Sequence, residues 1–253
     1  MIVAAALVSL IFGSFANNVI SHFSFKSKFD LVRSYCMCGD KMLKAAELIP
    51  FFNFIYQRGK CSYCHRNISL RYPIIEMIVL TMGLIFFIEY NLSVLFILFF
   101  AANCLLLCIA VIDYYSYKIP NLLVIILLFI SVMKAALFNT EFLLNVIISL
   151  SIGVLFILLN NLFDIITNKN VIGYGDIKLM AVINLFFGYQ LFFLGLWFSA
   201  LISIPGFYLI KSISKAHSGE TRIPFGFFLG IGFILTSVFD EKILPLFYTI
   251  IGV

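Results

Sequence analysis

Apolar residues along this chain run in long unbroken blocks, not in short alternations. Blocks near 2–21, 74–90, 94–112, 120–138, 142–166, 178–210 and 224–239 carry few charges. A helix needs about 20 mostly apolar residues, roughly 17–25, to cross the hydrocarbon of a bilayer. The pattern therefore predicts transmembrane helices. Block 178–210 is too long for one crossing, and Gly188-Tyr189-Gln190 divides it into a short helix and a longer one. That makes about eight crossings in an all-α polytopic membrane protein. The tail 243–253 is too short to cross and is expected at the interface. The first block lacks a basic start and an Ala-x-Ala cleavage site, and it carries Asn17 and Asn18 near its inner end. It reads as a retained helix, not as a signal peptide.

Composition agrees with a lipid environment. The 253 residues are 63% hydrophobic and 11% charged, with a mean hydropathy of +1.10. Soluble domains run at about 45–50% apolar and about 25% charged. Lys and Arg favour the cytoplasmic side, and here they fix one orientation. With the N-terminus outside, the inward loops are 22–73, 113–119, 167–177 and 211–223, and of 17 Lys and Arg only Lys134 and Lys242 fall on the outer side. The net charge of +5 is thus a topology signal. A nucleic-acid partner would require basic residues on one folded face with stacking aromatics, a pattern this distribution argues against.

The one sizeable polar segment, 22–73, contains Cys36-Met37-Cys38-Gly39 and Cys61-Ser62-Tyr63-Cys64-His65. Two cysteine pairs at this separation read as a zinc knuckle with Cys36, Cys38, Cys61 and Cys64 as ligands. A domain this small needs such a staple, and a reducing cytoplasm argues against disulfides. The first pair is one residue shorter than usual, so His65 could replace a thiolate, and thiols in a small packed domain are the alternative. Cys104 and Cys108 lie within a span and read as packing residues.

Carboxylates in apolar spans are costly, and each is a functional hypothesis by default. Asp113 closes the third span in Ile112-Asp113-Tyr114, and Asp176 opens the sixth in Gly173-Tyr174-Gly175-Asp176-Ile177-Lys178-Leu179. Charge counting places both at cytoplasmic helix ends, at one depth. Two carboxyls held close cannot both ionise easily. The neutral one can polarise a scissile carbonyl while the ionised one takes a proton from water, which is the chemistry of an aspartic protease. Gly173 and Gly175 allow a tight turn and close approach of an extended substrate. Lys178 and Lys118 are possible salt-bridge partners, and a lone interfacial Asp can simply cap a helix. Glu76, at the inner end of the second span, either orients substrate or caps its helix. Asp164 lacks a glycine context and reads as structural.

Taken together these strings resemble the type IV prepilin peptidases, bifunctional leader peptidases and N-methyltransferases. Gly13-Ser14-Phe15-Ala16-Asn17, the cysteine loop, Arg71-Tyr72-Pro73-Ile74-Ile75-Glu76, Asp113 with Ile119-Pro120, the Gly-x-Gly-Asp string and Ile223-Pro224-Phe225-Gly226 follow the family's order along nearly the whole chain. His22 stands where the family has Arg, and Ala45-Ala46-Glu47-Leu48-Ile49-Pro50 lacks the usual Asn. The resemblance implies catalysis by Asp113 and Asp176. It also implies prepilin or pseudopilin substrates cut at the cytoplasmic face of the bacterial inner membrane, with methylation of the new N-terminus from S-adenosylmethionine. The domains expected are a first helix (1–21), a cytoplasmic cysteine-containing domain (22–73) and a membrane peptidase domain (74–253). Alternatives are a Gly-x-Gly-Asp protease of other membrane peptides and a transporter using the aspartates as an ion site. The absence of an internal repeat and the surface depth of the aspartates argue against the latter.

Overall fold

In hydrocarbon no water satisfies backbone N–H and C=O groups, so a spanning segment must bond them internally. The computed structural model meets that demand with helices. It describes residues 1–25, 54, 57, 59–61, 66–138, 142–167, 172–214 and 224–251, apart from the side chains of 167, 209–214 and 240–251. Among these residues the helices are α1 (Ile2–Phe25), α2 (Arg71–Tyr90), α3 (Val94–Ser116), α4 (Asn121–Phe138), α5 (Phe142–Thr167), α6 (Tyr174–Phe187), α7 (Tyr189–Ser214) and α8 (Phe225–Ile251). Six of them, α1 to α5 and α7, are long and apolar enough to cross a membrane. The 14 residues of α6 are not. At about 1.5 Å per residue it reaches roughly two thirds of a ~30 Å core. The apolar stretch Phe225–Phe239 of α8 is short as well. The expected division at Gly188 is present: its φ of 82° ends α6, and its N–H returns to the Asn184 carbonyl at 2.8 Å. At the C-terminus, helix α8 continues to Ile251 through the segment expected to lie apart as an interfacial tail.

The chain divides into two compact units, Met1–Phe100 and Ala101–Val253. In the first, α1 packs on α2 through small residues, as helices do where lipid removes the hydrophobic drive between them. A Cβ on Gly13 would stand 3.0 Å from the Glu76 Cα, and Gly83 has no room for one against Ser9. Polar contacts add to this: Asn17 Nδ2 donates to the Tyr72 carbonyl at 3.0 Å, and Arg71 Nη2 to Ser21 Oγ at 2.7 Å. The Arg71 guanidinium also lies over the Phe25 and Tyr72 rings, 5.1 and 4.8 Å from their centroids. Asn17 thus bonds one helix to the other.

In the second unit, α6 is the enclosed element. Its residues Ile177, Leu179, Met180 and Val182–Phe187 are all buried, as befits a helix apolar on every side. The α4 side chains Ser131 and Lys134 reach its carbonyls at Val182 (3.3 Å) and Phe186 (2.6 Å). From α5, Ser149 donates to the Ala181 carbonyl. The Lys134 ammonium thus sits at the C-terminal end of α6, where the helix dipole favours a cation. Helices α7 and α8 interlock through glycines, Gly195 against Phe233, Gly206 against Phe228 and Gly232 against Ser199. Gly230 packs on Ala110 of α3, and Ser237 donates to Asn103 Oδ1 at 2.7 Å. Cys104 and Cys108 are buried in α3, as expected of packing residues.

The glycine contacts differ in kind. A Cβ on Gly232 would meet Ser199 backbone atoms at 2.7 and 2.9 Å, whereas on Gly153 it would make only an ordinary 3.4 Å contact with Ala181. Thermal unfolding in detergent should therefore show Gly232→Ala destabilised by about 1–3 kcal/mol. Gly153→Ala should be neutral or gain up to about 1 kcal/mol through helix propensity.

Candidate active site

Asp113 lies one turn inside the C-terminal end of α3, which runs on to Ser116. Its side chain is buried, 5% exposed, and its carboxylate accepts the Phe227 N–H at 3.1 Å. Phe227 is the third residue of α8. Its N–H is one of the donors that a helix start leaves without an internal partner. Gly226 makes this approach possible: a Cβ there would crowd both Asp113 Oδ2 and Ile119 Cδ1 at 3.0 Å. The Tyr114 ring packs against Phe227 with centroids 5.2 Å apart and so braces the same junction. Neither Gly226 nor Phe227 was expected to hold Asp113. The signal was the Pro224-Phe225-Gly226 string, which marks a helix start with a position open to close approach.

Asp176 uses a second helix start. Gly173 is the N-cap of α6 in extended conformation, and its carbonyl accepts the N–H groups of Asp176 (3.0 Å) and Ile177 (3.2 Å). Asp176, the third residue of the helix, reaches back to the Gly173 N–H, which is the acidic half of a capping box. Gly175 packs on Ile119 at ordinary distance, and Ile119 also faces Gly226. Ile119 therefore links the two helix starts that hold the two carboxyls. Asp176 stands ahead of the apolar part of α6. Its carboxyl is near enough to that of Asp113 for the two to interact through charge.

The structure thus brings Asp113 and Asp176 within electrostatic reach, with Gly173 and Gly175 at the turn. Lys178 is exposed two residues further along α6, and side chains two apart on a helix do not face each other. Glu76 belongs to the other unit, buried against Gly13. Because α2 begins at Arg71, Glu76 falls in its second turn and does not cap the helix start. Asp164 is exposed on α5. Of the expected zinc ligands, Cys36, Cys38 and Cys64, together with His65, lie outside the described residues. Cys61 is described: its N–H donates to the Arg66 carbonyl (2.9 Å), and the Ile68 N–H donates to the Gly59 carbonyl (2.7 Å). Two carboxyls that share an apolar site, each with a backbone donor, favour a single shared proton. Such a pair can act as acid and base at once.

Comparison with known proteins adds an independent line. The profile of the bacterial peptidase A24 N-terminal domain matches residues 7–90, and that of the type IV leader peptidase family matches 99–209, a range that includes both aspartates. The chain is 31% identical over 229 residues to the prepilin leader peptidase/N-methyltransferase of Dichelobacter nodosus, covering 88% of this chain and 77% of that protein. It is 29% identical over 223 residues to the protein of that name from Legionella pneumophila, covering 85% and 75% of the two chains. The Bacillus subtilis protein of that name is 27% identical over 216 residues, covering 85% of each. No solved structure matches.

If the two carboxyls share one proton, removing one of them must change how the other titrates. Infrared titration of the protonated carboxyl band should show the native pair losing its protons in two separated steps, and Asp113→Asn should leave a single step. Independent, superimposed titrations in the native chain would mean that the two groups do not interact.

Proposed function

Because the chain belongs to the type IV leader peptidase family, we propose that it is a membrane-embedded aspartic endopeptidase of type IV prepilins and pseudopilins. In this reading it removes their short basic leaders at the cytoplasmic face. The observation that carries the reading is the pair Asp113 and Asp176, each held at a helix start and interacting through charge. The ionised carboxyl takes a proton from a water molecule between the two. The water oxygen bonds to the scissile carbonyl carbon while the neutral carboxyl protonates the carbonyl oxygen. Collapse of the tetrahedral intermediate breaks the C–N bond; the leaving amine takes up a proton from the pair, while a hydroxyl of the intermediate gives its proton to the ionised carboxyl as the C=O re-forms, which restores the one shared proton. Gly173 and Gly175 leave the substrate backbone room beside Asp176, and Lys178 and Glu76 are assigned supporting roles outside the reacting pair.

The distribution of Lys and Arg supports an inner-membrane placement with both aspartates and the cysteine segment 22–73 on the cytoplasmic side. We assign eight crossings, with α6 and α8 completing the six long spans, and residues 74–253 as the peptidase domain. Zinc is proposed as a structural ion on Cys36, Cys38, Cys61 and Cys64. The two cysteine pairs support this reading, and the ion would supply folding stability to this segment. The relatives' names support methylation of the new N-terminus, for which S-adenosylmethionine would supply the methyl group. The described residues contain no glycine-rich turn from strand to helix of the kind that cradles such cofactors, and no step is derived through it.

Co-expression with a prepilin tests the peptidase. Asp113→Ala and Asp176→Ala should each abolish leader removal, and cleavage by either variant would overturn the assignment. Cleavage by the native protein should fall with rising pH as the pair loses its last shared proton. Mass spectrometry of the mature N-terminus should find one added methyl group, and metal analysis of purified protein should find one zinc per chain that Cys61→Ser and Cys64→Ser remove.

A further inference from the structure

We infer that Asn160 of α5 is a positioning residue for the Asp176 carboxyl, an inference that rests on reading Asp113 and Asp176 as the catalytic pair. Around it α5 presents apolar side chains outward: Leu158, Leu162 and Phe163 are exposed. Asn160 is the exception, 0% exposed. Its Oδ1 accepts the Ile172 N–H at 3.0 Å, twelve residues further along the chain. The next residue is Gly173, whose carbonyl receives the Asp176 and Ile177 N–H groups. A single hydrogen bond from α5 therefore fixes the chain immediately before the turn that aims Asp176.

Two further contacts between α5 and α6 lie deeper along the helix. Ser149 and Gly153 both meet Ala181, more than one turn beyond Asp176. They hold the body of α6, while Asn160 holds its entry. The amide is also an expensive choice for mere packing. Asn160 Nδ2 is buried and has no hydrogen-bond partner among the described residues, and a half-satisfied buried amide is less stable than an apolar side chain of similar size. Packing α5 onto α6 would be served better by leucine. What leucine lacks is the acceptor for Ile172.

The test uses the full-length protein in detergent or proteoliposomes with a prepilin substrate. Asn160→Leu should keep the native thermal midpoint and a KM within about twofold. Its kcat should fall on the order of 10- to 100-fold, as expected of a catalytic group displaced by about an ångström. Asn160→Asp, which keeps an oxygen in the same place, should recover most of that loss. Hydrogen–deuterium exchange over residues 172–178 should be about 3- to 10-fold faster in the leucine variant and near native in the aspartate variant. Native kcat and native exchange in Asn160→Leu would overturn the inference. So would a loss of kcat that tracks a lowered thermal midpoint and is not rescued by Asn160→Asp. Should the native protein cleave no prepilin, the substrate reading fails, while the exchange comparison still decides whether Asn160 holds the turn.

Discussion

A carboxylate beside apolar helices is unstable unless backbone or side-chain donors face it, and the second unit is arranged around that constraint. Asp113 and Asp176 come from different helices, yet both meet it in the same way. Each takes a backbone N–H at the start of a helix, Phe227 for Asp113 and Gly173 for Asp176. Helix starts offer unpaired donors and the positive end of the dipole. They stabilise a negative charge without placing a cation next to it, which leaves the proton free to move between the two carboxyls. A lysine in direct contact would have fixed both groups as carboxylates and removed the acid.

The short helix α6 follows from this arrangement. A carboxyl whose position matters must ride on an element that does not drift. Burial on all sides fixes α6, with Ser131 and Lys134 from α4 and Ser149 from α5 bonded to its carbonyls. Asp176 at one end and the Lys134 ammonium at the other complement its dipole. The glycines between α7 and α8 serve the Asp113 side in a similar way. They bring α8 against its neighbours closely enough for its first turn to meet Asp113, with Gly226 as the point of nearest approach.

Much of this was legible in the sequence because lipid leaves few options: long apolar blocks become helices, and most predicted boundaries lie within a few residues of those observed. The break at Gly188 was readable because glycine accepts a positive φ that other residues resist. Helix ends were harder. Asp113 seemed to end a span, but α3 continues to Ser116, since aromatic residues at a membrane boundary do not stop a helix. The two aspartates stood out as carboxyls in apolar surroundings. The donors that hold them did not, because a backbone N–H has no residue type and is found only from where a helix starts. Asn160 was invisible for a related reason: its partner lies twelve residues along the chain, and nothing in the intervening string marks the pairing. The joining of Gly13 to Glu76 and of Asn17 to Tyr72 brings together two strings noted separately in the sequence.

The central claim is that Asp113 and Asp176 act as one unit, not as two independent contributors. Single-turnover cleavage of a prepilin by Asp113→Asn, Asp176→Asn and the double variant tests it most directly. Groups that act as a unit are strongly non-additive. Each single change should therefore reduce the rate to the residual level, and the double variant should be no slower than either. Losses that multiply in the double variant, or a single variant that keeps substantial activity, would contradict the account.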